Sequence, residues 1–125
     1  MKIFGFFAAL LILIPFSPAL SRADDRDDRA FMEAARSGDT ALMATLLKKE
    51  PGLITVRGEE GWMPIHWGVL SGSTKTVILL LARGADINAV TDRRHTPLHL
   101  AAYLADPEIA ELLIAKGADL NARTD

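Results

Sequence analysis

One stretch of this chain returns after 33 residues, and that repetition limits its fold more than any other feature. Pro64 and Pro97, His66 and His99, Leu79 and Leu112, Gly84 and Gly117, and Asn88 and Asn121 all stand 33 apart. The segments Gly84-Ala85-Asp86-Ile87-Asn88-Ala89 and Gly117-Ala118-Asp119-Leu120-Asn121-Ala122 differ by one conservative change. A weaker copy comes first, pairing Gly38 with Gly72 and Leu46-Leu47 with Leu80-Leu81 at an offset of 34. The extra residue falls within Lys48 to Leu53, where Glu50-Pro51-Gly52 replaces Gly-Ala-Asp. Units this short cannot bury a core alone, so they must stack.

Each unit reads as two short helices and a turn. In the last, Thr96 stands at the N-cap and Pro97 at the first helical position, where its missing N–H costs nothing. That predicts a helix over Leu98 to Leu104. Asp106-Pro107-Glu108 opens a second helix with a capping carboxylate and first-turn negative charge. Ile109, Leu112 and Leu113 then fall on one face, and Gly117 closes the helix. The middle unit predicts helices over Pro64 to Ser71 and Thr74 to Arg83, parted at Gly72-Ser73. The first predicts Arg29 to Ser37 and Thr40 to Lys49, parted at Gly38-Asp39. None of these helices is long enough to persist alone.

The run Thr96-Pro97-Leu98-His99-Leu100-Ala101-Ala102, with Ile109-Ala110-Glu111-Leu112-Leu113 and Gly117 to Ala122, resembles an ankyrin repeat almost throughout. Pro64-Ile65-His66-Trp67 and Gly84 to Ala89 give the middle unit the same likeness. The resemblance covers residues 29 to 125. It implies an all-α solenoid of about three stacked helix–turn–helix units, at about 29–57, 58–90 and 91–125, with hairpin-like turns projecting at one side. It also implies that His66 and His99 use their imidazoles for hydrogen bonding within the stack.

Three departures from the family pattern set further expectations. The first unit opens on Asp24-Asp25-Arg26-Asp27-Asp28-Arg29 instead of Thr-Pro-Leu-His, which suits an end unit facing water. Residues 24–28 are expected to be an acidic linker. Met63 stands where the family has threonine, so its helix should lose about 1 kcal/mol of capping. Arg94 occupies a turn position filled by Gly61 in the middle unit; a left-handed backbone there costs about 1–2 kcal/mol. At the far end, Ile109, Leu112, Leu113 and Ile114 have no polar helix after them in the sequence. Self-association through that C-terminal helix face is the second expectation for function.

The start of the chain reads as an address. Lys2 precedes twelve residues, Ile3 to Ile14, without a polar side chain; Pro15 and Pro18 and then Ser21-Arg22-Ala23 follow. A membrane-spanning helix takes about 20 apolar residues. The short run with its basic start and small residues matches a cleaved secretory signal over residues 1–23, with Ala19-Leu20-Ser21 as the next cleavage candidate and an uncleaved anchor reaching Leu20 as the alternative. The expected location is periplasmic or secreted from a bacterium, with no stable membrane anchor after cleavage. Of the 14 basic residues, removal of Lys2 and Arg22 leaves 12 against 16 acidic, a net charge of -4. That balance disfavours nucleic acid as a partner.

Chemistry is hard to find. With no cysteine, zinc would need more ligands than three histidines in this arrangement supply. Thr96 and Pro97 part His95 from His99, placing His95 in the turn. No Gly-x-Ser-x-Gly, phosphate loop or His-Glu-x-x-His occurs, and Glu59-Glu60 sits in a turn where carboxylates stay solvated. The expectation is a non-enzymatic protein with no catalytic, metal or cofactor residues. The family pattern leaves certain turn and first-helix positions unconstrained, and these are the candidate contacts for another protein. They are Glu59, Glu60, Trp62, Leu70 and Ser71 in the middle unit, and Asp92, Arg93, His95, Tyr103 and Leu104 in the last. Trp62 is read either as an interface anchor or as a ring folded back onto Met63 or the Pro51-Gly52 loop. Trp67 is expected in the core.

Overall fold

The computed structural model describes residues 23–123, and every helix after the first is opened by a cap or a proline. Asp39 accepts the amide of Leu42 at 3.0 Å and starts α2 (Thr40–Lys49) after α1 (Ala23–Ser37). Pro64 begins α3 (Pro64–Leu70), and Ser73 accepts from the Thr76 amide at 3.2 Å to begin α4 (Thr74–Ala82). Thr96 and Asp106 cap α5 (Pro97–Tyr103) and α6 (Pro107–Ala115) through the amides of His99 and Ile109. Each cap satisfies an N–H that the helix cannot. No strand occurs among the described residues.

The helices form two rows. α1, α3 and α5 pack side by side, as do α2, α4 and α6, and each pair closes as a hairpin. Between the rows lies one core of Phe31, Met43, Leu47, Leu53, Ile65, Val69, Val77, Leu80, Leu100, Ile109 and Leu113. The repeat is visible in the hydrogen bonds. His66 Nε2–H donates to the carbonyl of Ala89 at 2.9 Å, and His99 Nε2–H to that of Ala122 at 3.1 Å, each tying its unit's first helix to its closing loop. Units are joined by the Asp119 amide to Asn88 Oδ1 at 2.8 Å and by Thr74 Oγ1 to Glu108 at 3.1 Å.

Several expectations need correction. Residues 24–28 are no linker, because α1 runs from Ala23; acidic side chains suit the positive start of a helix, and Asp27 accepts from Lys49 at 2.6 Å. Nor is the last helix's apolar face laid open as a whole. Ile109 and Leu113 are fully buried against the core, and Ile114 is exposed. Trp67 is half-buried and not a core residue: its outer face carries the Arg36 guanidinium, 4.1 Å from the ring centre. The proposed signal segment lies, up to residue 22, outside the described residues. Among those described, no helix is long and apolar enough to cross a membrane.

Candidate partner-binding groove

Two turns and two helix ends build a concavity between the middle and last units. The middle turn is a short 3₁₀ segment, Glu59–Gly61, closed by the Gly58 amide donating to Trp62 O at 2.7 Å. The last turn closes in the same way, from the Thr91 amide to His95 O at 3.1 Å. The turns are also locked to each other: Asp92 donates its amide to Glu60 O at 2.9 Å, and Arg57 reaches Val90 O at 3.2 Å and Asp92 Oδ1 at 3.4 Å. Trp62 and His95 are thereby held on neighbouring turns.

The resulting groove has a volume of about 720 Å³ and is lined by Trp62, Leu70, His95, His99, Leu100, Ala102, Tyr103 and Leu104. Its walls are mostly apolar. Tyr103 is 86% exposed at its edge, an unusual position for a large aromatic side chain. Trp62 serves as a wall and is braced from behind, with its ring 4.8 Å from that of Trp67 and 5.7 Å from His66 in an edge-on contact. Arg36 caps the far side of Trp67, so a cation–aromatic stack stretches from the first unit to the groove. The Trp62 ring thus folds back onto Trp67 and His66 and also lines the groove.

Five of the ten candidate contacts, Trp62, Leu70, His95, Tyr103 and Leu104, come together in this lining. The others stand outside it. Glu59, Glu60 and Arg93 are exposed on the turns, Asp92 is engaged by Arg57 and Glu60, and Ser71 turns its hydroxyl to Gly68 O at 2.9 Å. Sequence reasoning missed His99, Leu100 and Ala102 as lining residues, since the family pattern assigns them to structure, and also Arg36 behind the groove. Arg36 lies 34 residues before Leu70, the offset that pairs Gly38 with Gly72, so the register held the signal.

The imidazoles of His66 and His99 are occupied. His66 Nδ1 accepts the Met63 amide at 3.0 Å while Nε2–H donates to Ala89, which is the pattern of a neutral ring. Burial pushes its pKa below the ordinary 6.5, reinforced by the charges of Arg57 and His95 and opposed by the carbonyls of Ala89 and His95. His99 accepts the Thr96 amide at 3.1 Å and donates to Ala122. Among the described residues no three His, Asp or Glu side chains converge as a metal site.

The family model described as ankyrin repeats matches the chain over residues 6–91 and 31–124, in three copies. The chain belongs to the ankyrin-repeat family. It is 34% identical over 65 residues to ankyrin repeat domain-containing protein 35 of Homo sapiens, spanning 52% of this chain and 6% of that protein. It is 27% identical over 97 residues to the transient receptor potential cation channel subfamily A member 1 homolog of Caenorhabditis elegans, spanning 78% of this chain and 8% of that protein. The NAD-capped RNA hydrolase NUDT12 of Homo sapiens is 33% identical over 70 residues, or 56% of this chain and 15% of that protein. Against proteins so much longer, the likeness is one of ankyrin arrays and carries no whole-protein activity. Ankyrin repeats are generally protein–protein interaction modules.

Proposed function

We propose that this ankyrin array is a non-enzymatic docking module that holds another protein in the groove between its middle and last units. The observation that carries the reading is Tyr103, 86% exposed beside a cavity of about 720 Å³ walled by Trp62, Leu70 and Leu104. Large aromatic side chains of this kind dominate interface energetics, and a pre-built groove loses little ordering entropy when it is filled. The locked turns and the Arg36–Trp67–Trp62 stack supply that preorganisation.

A photo-crosslinking phenylalanine analogue at position 103 tests this in cells. It should yield a discrete adduct with a second protein, while the same probe at the exposed Lys75 of α4 should not. Adducts from position 75 alone would remove the groove. An adduct joining only two copies of this chain would favour self-association. Tyr103→Ala should weaken partner capture about tenfold or more without unfolding the array.

The reading includes export. Lys2, the apolar run Ile3 to Ile14 and Ser21-Arg22-Ala23 support a signal removed in the bacterial envelope. Mass spectrometry of the periplasmic fraction should find a chain beginning at Asp24. Chain retaining Met1 and confined to the cytoplasm would overturn it.

A further inference from the structure

The two turns that frame the groove carry opposite charge. Arg57 and Asp92 are consumed by one another at 3.4 Å. On the middle turn this leaves Glu59 and Glu60, both exposed and without an ion-pair partner among the described residues. On the last turn it leaves Arg93, exposed likewise, with its amide on Thr91 Oγ1 at 3.3 Å and the exposed Arg94 next to it in the chain. The backbones that carry these charges are held together, because the Asp92 amide is bonded to Glu60 O at 2.9 Å and the turns approach too closely at Gly61 to admit a methyl group. These charges stand outside the groove lining, but each turn runs directly into a lining residue, the middle one into Trp62 and the last into His95, with Leu70 and Leu100 as further walls.

We infer that the groove takes a partner segment in which one bulky apolar side chain is flanked by a basic residue on one side and an acidic residue on the other. The apolar side chain fills the cavity, the basic residue lies over Glu59 and Glu60, and the acidic residue lies toward Arg93. A segment of uniform charge would place a like charge against one of the two turns, so the rim selects as well as attracts. This rests on the docking function proposed above and adds the chemistry of the occupant.

Four peptides sharing one Leu-Phe-Leu centre test the order of charge: Lys and Glu flanks, Lys on both sides, Glu on both sides, and Ser on both sides. Titrated by fluorescence anisotropy into the full chain at low salt, the Lys/Glu peptide should bind about fivefold more tightly than either single-sign peptide. The advantage should shrink toward equality near 0.5 M salt, where screening reaches about 4 Å. Arg93→Glu combined with Arg94→Glu leaves both turns acidic, and the all-Lys peptide should then lead. Should that variant fail to give a helical circular dichroism spectrum, Glu59→Lys with Glu60→Lys makes the converse rim, on which the all-Glu peptide should lead. Equal binding of all four, no binding of the Lys/Glu peptide, or an order unchanged by the rim variants overturns the inference. The docking groove itself is judged separately by Tyr103→Ala: equal binding that this variant abolishes leaves the groove standing, and binding it does not touch sinks the groove as well.

Discussion

The middle and last repeats share a plan, yet equivalent residues 33 apart live in different surroundings. Gly61 and Arg94 both hold left-handed backbones, φ 74° and 64°, but at Gly61 an added Cβ would lie 2.5 Å from Asp92 Oδ1 and 2.8 Å from Asp92 N. The last repeat packs onto the middle one there, so glycine is demanded twice, by conformation and by space. At Arg94 a side chain fits, and the strain is borne. Gly72 and Ala105 also share left-handed backbones, φ 73° and 55°, but there an added Cβ would meet only Asp106 Oδ2 at 3.9 Å, so conformation alone favours glycine. Ile65 and Val77 are buried in the middle repeat, whereas their counterparts Leu98 and Ala110 are partly exposed. Equivalent positions thus acquire different energetic weight according to whether a neighbour lies on top.

Gly61→Ala should break this contrast most severely. The left-handed strain and the clash with the Asp92 backbone together should cost about 3 kcal/mol, read as a lowered urea midpoint. A loss below about 0.5 kcal/mol would mean that the turns are not locked. The caps come next. Thr96 is 2% exposed and its hydroxyl accepts the His99 amide at 3.2 Å, so Thr96→Ala should cost about 1–2 kcal/mol. Met63 offers no hydroxyl, and there the His66 amide bonds the Met63 carbonyl at 3.0 Å instead. Met63→Thr should therefore stabilise by about 1 kcal/mol. Smaller still, Arg94→Gly should gain about 0.5–1 kcal/mol, since relief of strain is partly offset by the freer unfolded chain. A loss on Arg94→Gly would show that the arginine side chain contributes more than its backbone costs.

The stack was legible in the sequence because its signals are local and periodic. Prolines at first helical positions, capping Asp, Ser and Thr, and loop glycines each act within a few residues, and the middle and last units carry them in register. The groove was half legible. Tyr103 and Leu70 are free of the repeat pattern and therefore stood out, but Leu100 is both a repeat position and a wall, and a pattern cannot assign one residue to two tasks. Trp67 misled for a related reason. Its position is apolar in the family, yet its outer face is covered by Arg36, a contact between units that no single repeat encodes. The acidic start of α1 read as linker because charge density alone does not distinguish a solvated tail from a helix's first turns.

At neutral pH the smallest expected effect is that of His66, and it grows only with acid. Covered by the last repeat, the ring is buried with both nitrogens engaged, and its pKa lies below 6.5 mainly through that burial. The folded chain therefore binds fewer protons than the unfolded chain once the pH drops below 6.5, so stability rises with pH across that interval. The contribution is present in full above the unfolded value and is lost progressively as pH falls toward the lowered folded value. Thermal unfolding of the wild type and of His66→Gln, compared from pH 8 to pH 5, isolates it: the difference should be steady near neutrality and narrow in acid, since glutamine takes no proton in either state. A wild type whose advantage stays constant to pH 5 would mean that the ring gains its proton without leaving the stack.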